Sequence, residues 1–208
     1  MKNILSLMAI LVLLAGCVAG SDMGRDERLT AQQTDKAAVL LGLRTMLPVK
    51  ASYSLRFVKL DPATMEINRN IFGAGVPDDT FEIGHNAIGN QDVSTVVTQY
   101  YARVVTPGFY VVSSVFSHDA MLMMQPVLTC ISKPNVVEIK AGQVNYVGDF
   151  VLGINDRYQA TMINRTDESQ QAMAAMKDFP GLTVPFAIAA IRPAPKSLLC
   201  GGVPEQKK

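Results

Sequence analysis

Apolar and polar residues alternate along much of this chain, in short runs separated by turn residues. Tyr53, Leu55 and Phe57 alternate with Ser54 and Arg56, and a repeat of two sets one face of a strand in a core. Asp61-Pro62-Ala63-Thr64 closes that run as a turn, because Pro62 lacks a donor and the Asp61 carboxylate can accept from the backbone ahead of it. Before it, Ala38 to Leu43 is a continuous apolar run. Val96 to Thr106 predicts a strand with Val96, Tyr100, Ala102 and Val104 on one face. Phe109 to Ser117 predicts another, with Tyr110, Val112 and Phe116 on one face and Phe109, Val111 and Val115 on the other. Thr106-Pro107-Gly108 between them carries the signal of a hairpin turn. Further strands are predicted over Met121 to Ile131, Val136 to Lys140 and Val144 to Leu152, the last two joined by Ala141-Gly142-Gln143, and over Val184 to Ile191.

The period changes between Asp167 and Phe179, where Ala172, Met173, Met176 and Phe179 fall at helical spacing. Asp167 or Ser169 can cap this helix and Pro180-Gly181 ends it. Residues 65 to 95 scatter glycine, proline, aspartate and asparagine among short apolar pieces. They predict a long loop with one short strand near Phe81-Glu82-Ile83, and long loops in compact domains are often functional, so the binding surface is expected here. Seven or eight short strands with turn signals and one peripheral helix near the C-terminus predict a mainly β chain folded as an antiparallel β-sandwich.

The first sixteen residues have the parts of a secretory signal: Lys2, an apolar stretch from Ile4 to Leu14, and the small residues Ala15 and Gly16. That stretch is shorter than the roughly 20 apolar residues a spanning helix needs. Leu14-Ala15-Gly16-Cys17 resembles the lipobox of a bacterial lipoprotein. The resemblance implies a diacylglyceryl group on the Cys17 thiol, cleavage before it and acylation of the new amino group, which together form a durable membrane anchor. Val18 stands where an aspartate would imply retention in the inner membrane, so the resemblance implies an outer-membrane lipoprotein facing the periplasm.

The expected organisation is a signal peptide over 1–16, a lipidated polar tether over 17–35 with Thr30 to Lys36 open to helix, one sandwich domain over 36–200 and a polar tail over 201–208. Removing the first 16 of 208 residues leaves 192, enough for one well-buried domain. Without Lys2 the basic count falls from 19 to 18 and equals the 18 acidic residues, so no net field attracts nucleic acid or an anionic surface. Cys130 and Cys200 lie in apolar settings and suit a disulfide in an oxidising compartment. A bridge would close a loop of about 70 residues and stabilise by about 4 kcal/mol in the chain-entropy model; two buried free thiols are the alternative.

Residues 107 to 112 and 137 to 148, within a stretch spanning 96 to 152, look like strand-turn-strand elements of transthyretin-like or immunoglobulin-like sandwich lipoproteins. That resemblance implies a binding or structural module. Residue chemistry points the same way. His85 and His118 read as loop histidines, and an acid-base or metal role would require them to converge with Asp78, Asp79 or Asp119. Gly73-Ala74-Gly75 lacks the strand-to-helix setting of a phosphate cradle. Met121, Met123 and Met124 suit soft-metal ligation but are explained by two faces of a core strand. No cofactor and no metal are expected.

The function expected is therefore a non-catalytic, lipid-anchored envelope module that binds an envelope protein or glycan through the 65 to 95 loop or an exposed sheet edge. The alternatives are an envelope hydrolase or hydrolase accessory using His85 and His118 with nearby aspartates, and a structural subunit of a secretion or surface-appendage assembly.

Overall fold

Nine residues, Ala37–Thr45, form a first strand whose two faces are both buried. Ala37, Val39, Leu41 and Leu43 enter one core while Ala38 and Leu40 enter another, which explains why this run reads as continuously apolar. The structure, a computed structural model, describes residues 24–45, 51–67, 80–85, 98–119, 127–130, 134–154 and 160–195; residues 45, 51–53, 85, 116–119, 127–130, 154 and 160 are described by their backbone.

The described strands are β1 (Ala37–Thr45), β2 (Ala51–Lys59), β3 (Thr80–His85), β4 (Gln99–Val105), β5 (Gly108–Asp119), β6 (Val127–Cys130), β7 (Asn135–Ile139), β8 (Val144–Ile154), β9 (Ala160–Thr166), β10 (Phe186–Ile188) and β11 (Ala190–Pro193). They form two packed sheets. The first runs β10-β8-β1-β4, with β9 on the same edge of β8 as β10; the second runs β11-β7-β5-β2-β3, with β6 on the same edge of β5 as β7. The chain is mainly β and a sandwich, as its alternation predicts. Pairing in the second sheet is antiparallel throughout the described strands, whereas β8 runs parallel to both β1 and β10 in the first.

Between the sheets lies the main core, which includes Leu55 and Phe57 of β2, Phe81 of β3, Tyr110 and Val112 of β5, and Phe150 and Leu152 of β8. Phe57 stacks on Phe81 with ring centroids 4.7 Å apart. A second core covers the outer face of the first sheet, where Leu40, Ala102, Val144 and Tyr146 meet Leu29, Ala172, Phe179 and Leu182. The helix α1 (Ser169–Ala175), extended by a 3-10 turn at Met176–Asp178, forms part of this cover.

Several local expectations change. Thr106-Pro107 does not close a hairpin. It carries the chain from β4 in the first sheet to β5 in the second, and the Tyr110 hydroxyl fastens the crossing by donating to Thr106 O at 2.7 Å, much as the tyrosine corner of sandwich folds does. Ala141 to Gln143 likewise links β7 and β8 in opposite sheets. There buried Asn145 accepts from Lys140 N (2.9 Å) and donates to the carbonyls of Ala38 (3.2 Å) and Lys140 (2.9 Å). The strand expected over Val184 to Ile191 is divided at Ala189: β10 pairs with β8, and β11 pairs with β7. A strand over Ala160–Thr166 was not expected at all. In β5, Val115 shares the inter-sheet core with Tyr110 and Val112, because a bulge at Ser113 shifts the period by one residue.

The N-terminal side differs as well. Residues 24–35, expected within a tether, pack on the outer face of the first sheet. Leu29 is fully buried, its N–H donates to Gly181 O at 2.9 Å, and its carbonyl accepts from Thr183 N at 3.0 Å. Between Thr30 and Lys36 the chain makes turns and not a helix. Cys17 and residues 1–16, expected as a signal peptide, lie outside the described residues, and among the described residues no helix is long and apolar enough to cross a membrane.

Candidate functional site

The densest polar chemistry among the described residues lies on the outer face of the first sheet, built around a bulge in β8. Between the pairs Leu40↔Tyr146 and Gly42↔Asp149, β1 advances two residues while β8 advances three. Gly148 absorbs the extra residue at φ +108, a conformation that costs an L side chain strain. Tyr146 and Asp149 are thereby set on one face three residues apart, and the Tyr146 hydroxyl donates to Asp149 Oδ1 at 2.7 Å. The hydroxyl of Tyr100, on β4, donates to Asp149 Oδ2 at 3.2 Å.

Asp149 is only 3% exposed. Burial pushes its carboxyl above the usual aspartate value, as does the charge of Glu168, while the two phenol donors and Arg44 act in the opposite direction. Burial raises both the Tyr146 and Tyr100 phenols first; the bond to Asp149 comes next for Tyr146, and for Tyr100 the charge of Asp149 and then the bond to it. Arg165, on β9, lies over Gly148 and donates from Nε to Val147 O at 2.8 Å, so it clasps the bulge; burial lowers its guanidinium below the ordinary value. Arg44 donates to Thr98 Oγ1 at 3.0 Å beside this cluster.

Tyr146 connects the cluster to the surface. Its hydroxyl accepts from the backbone N–H of Glu168, the N-cap of α1, at 3.0 Å, while the Asp167 carboxylate accepts from Ser169 N at 3.1 Å. Glu168 thus takes the N-cap place that the sequence gives to Asp167 or Ser169, without a side-chain cap bond, and Asp167 holds the helix start from one residue before it. The Tyr146 ring stacks on Phe186 with centroids 6.1 Å apart. Phe186 in turn lines a hollow of about 350 Å³ between α1 and β10, with Ser169, Gln170, Met173, Ala187 and Ile188. Closed to ligand, the carboxylate acts as a tie: it holds Tyr146, and Tyr146 holds both the helix start and one wall of the hollow.

None of the described site candidates singled out from sequence belongs to this cluster. His85 and His118 sit in strands, not loops: His85 ends β3 opposite Tyr53, and His118 lies in β5 opposite Ser52. They occupy successive register rows on the two flanks of β2. Asp119 ends β5 opposite Ala51, and Cys130 ends β6 opposite Ser114. Cys200, Asp78, Asp79, Gly73, Gly75, Met121, Met123 and Met124 lie outside the described residues. Among the described residues no three His, Cys, Asp or Glu side chains come together as a metal set.

Sequence reasoning missed Asp149, Tyr146, Tyr100 and Arg165. The signal for them was Gly148-Asp149 inside the otherwise apolar run Val144 to Leu152, since a glycine within a strand marks a bulge or a close approach.

The chain matches no protein-family model and no curated protein. Among solved structures, a "putative cell adhesion protein" from Bacteroides ovatus is similar over 64% of this chain and 45% of its own length, at 6% identity and a TM-score of 0.28. The chain thus spans under half of that protein, and at this level the likeness carries no argument.

Proposed function

We propose that the protein is a lipid-anchored module of the bacterial cell envelope, held by Cys17 in the outer membrane facing the periplasm, that binds another envelope component without catalysis. The observation that carries this reading is the join between anchor and fold. Cys17 ends the lipobox-like run Leu14 to Cys17, and seven positions later Gly24 already packs on the backbone of Ala102. An anchor placed directly before a sandwich suits a domain that presents a surface to a neighbour.

The two surfaces expected from sequence, the 65 to 95 stretch and an exposed sheet edge, meet in β3. This strand lies within that stretch and is paired on one side by β2, with no strand on its other side among the described residues. Such an edge accepts an added strand from a partner protein, and the loops beside it would serve a glycan. In this reading Cys130 and Cys200 pair and tie β6 to the C-terminal segment, so the exported protein titrates no free thiol when denatured without reductant.

Fatty-acid labelling of the wild type against Cys17→Ala tests the anchor, and equal labelling removes it. Photo-cross-linkers placed at Glu82 on β3 and at Asn164 on β9 test the surface. The reading expects a discrete adduct with an envelope component from position 82 and none from 164. No adduct from β3 removes it.

A further inference from the structure

We infer that the anchored domain rests on the lipid surface with the side that α1 and β10 form over its first sheet, Met173, Phe186 and Ile188 making the contact. This rests on the proposed lipidation of Cys17. Met173 is 58% exposed and Ile188 54%, two of the three large apolar side chains so exposed among the described residues. Together with half-buried Phe186 they border the hollow between α1 and β10.

The anchor ends on the same face. Gly24 packs on Ala102 of β4, and the pairs Ala102↔Leu40, Leu40↔Tyr146 and Tyr146↔Ile188 form one row across the sheet. Strands are spaced about 4.8 Å apart, so Ile188 lies three spacings, or about 14 Å, from Ala102. Ala102, Leu40, Tyr146 and Phe186 all belong to the outer core of this sheet, and Ile188 follows Phe186 at the period of two.

Chain length then sets the orientation. Seven residues from Cys17 to Gly24 span at most about 25 Å when fully extended, whereas a domain of this size is about 40 Å across. Gly24 therefore cannot sit at the pole opposite the membrane, and among the orientations this leaves, the exposed apolar patch on the face of Gly24 favours the one with that face toward lipid. The patch is small, and a contact too weak for a free domain suffices for one held at high effective concentration by its anchor. The segments that cover this face, 24–36 and 167–178, carry Arg25, Arg28, Lys36 and Lys177 against Asp26, Glu27, Asp35, Asp167, Glu168 and Asp178, so anionic lipid adds no attraction and the contact is apolar.

The test uses the full lipidated protein in neutral phosphatidylcholine vesicles carrying a spin-labelled lipid, with a genetically encoded environment-sensitive fluorophore at position 173, at 188, or at Ala63 in a turn outside this face. Quenching at 173 and 188 several-fold above that at 63, unchanged by anionic phosphatidylglycerol or by salt, supports the orientation. Equal quenching at the three positions in protein that carries fatty acid overturns the docking and leaves the anchor standing. Protein without fatty acid overturns both. Cross-linking of two copies through position 173 in place of lipid quenching assigns the patch to a second copy and overturns the docking.

Discussion

Gly42 lies opposite Asp149 where β1 pairs with β8, and the carboxylate occupies the space a side chain would take. A Cβ at position 42 would collide with Asp149 Oδ1 and Cγ and with Thr98 Cγ2. Overfilling a closed site of this kind costs about 1–3 kcal/mol, so Gly42→Ala is expected to lower the urea midpoint at unchanged slope. Because the carboxylate is the obstacle, Gly42→Ala combined with Asp149→Ala is expected to cost less than the two single changes added together.

The same carboxylate makes stability depend on pH with a definite sign. Burial holds the folded Asp149 pKa above the unfolded value of about 4. Between those two values the folded state binds the extra proton, so this group's contribution is fully present below about pH 4 and is lost as pH rises through the folded value. Asp149→Asn stays neutral throughout. Its stability relative to wild type is expected to rise with pH across that window and then level off, as read from urea titrations of both proteins at a series of pH values. A constant difference across the series would contradict it.

The sandwich was legible because alternation and turn chemistry survive in single segments: Leu55 and Phe57 enter the core as their spacing requires, and the Asp61 carboxylate accepts from Ala63 N and Thr64 N as its turn requires. Sheet membership was not legible. The Pro-Gly signal after Thr106 and the Gly142 turn announce a reversal of the chain, and the same local chemistry serves a hairpin or a step between sheets. Bulges hid the rest. At Ser113 and at Val147-Gly148 one extra residue restarts the period of two, so Val115 was given the wrong face and the meeting of Tyr146 with Asp149 went unread. The polarity of residues 18 to 35 suggested a tether because one buried leucine among exposed neighbours leaves no periodic trace.

Tyr146 links three partners through one hydroxyl and one ring, so its removal is expected to be felt at a distance. Tyr146→Phe leaves Asp149 short of a donor and the Glu168 N–H short of an acceptor, and orphaned buried groups cost about 1–3 kcal/mol. Tyr100→Phe removes a longer bond at a half-buried position and is expected to cost less. Hydrogen exchange separates the two: the Glu168 amide is expected to exchange faster in Tyr146→Phe and at the wild-type rate in Tyr100→Phe.

Leu29 decides where the domain begins. A residue in a tether can be truncated at no cost in stability, since it leaves no cavity. Leu29 instead is fully buried against the second core, bridged to Leu182 and bonded through its backbone to Gly181 and Thr183. Truncating a buried leucine costs about 2–5 kcal/mol, so Leu29→Ala is expected to lower the urea midpoint clearly, while Thr34→Ala, at an exposed turn in the same segment, is expected to leave it within about 0.5 kcal/mol. Limited proteolysis gives an independent measure. Cleavage after exposed Arg25 or Arg28 is expected to be slow in wild type and faster in Leu29→Ala, because the protease must wait for this segment to lift from the sheet, and the substitution makes that opening more frequent. Equal cleavage in the two proteins would return the segment to the tether.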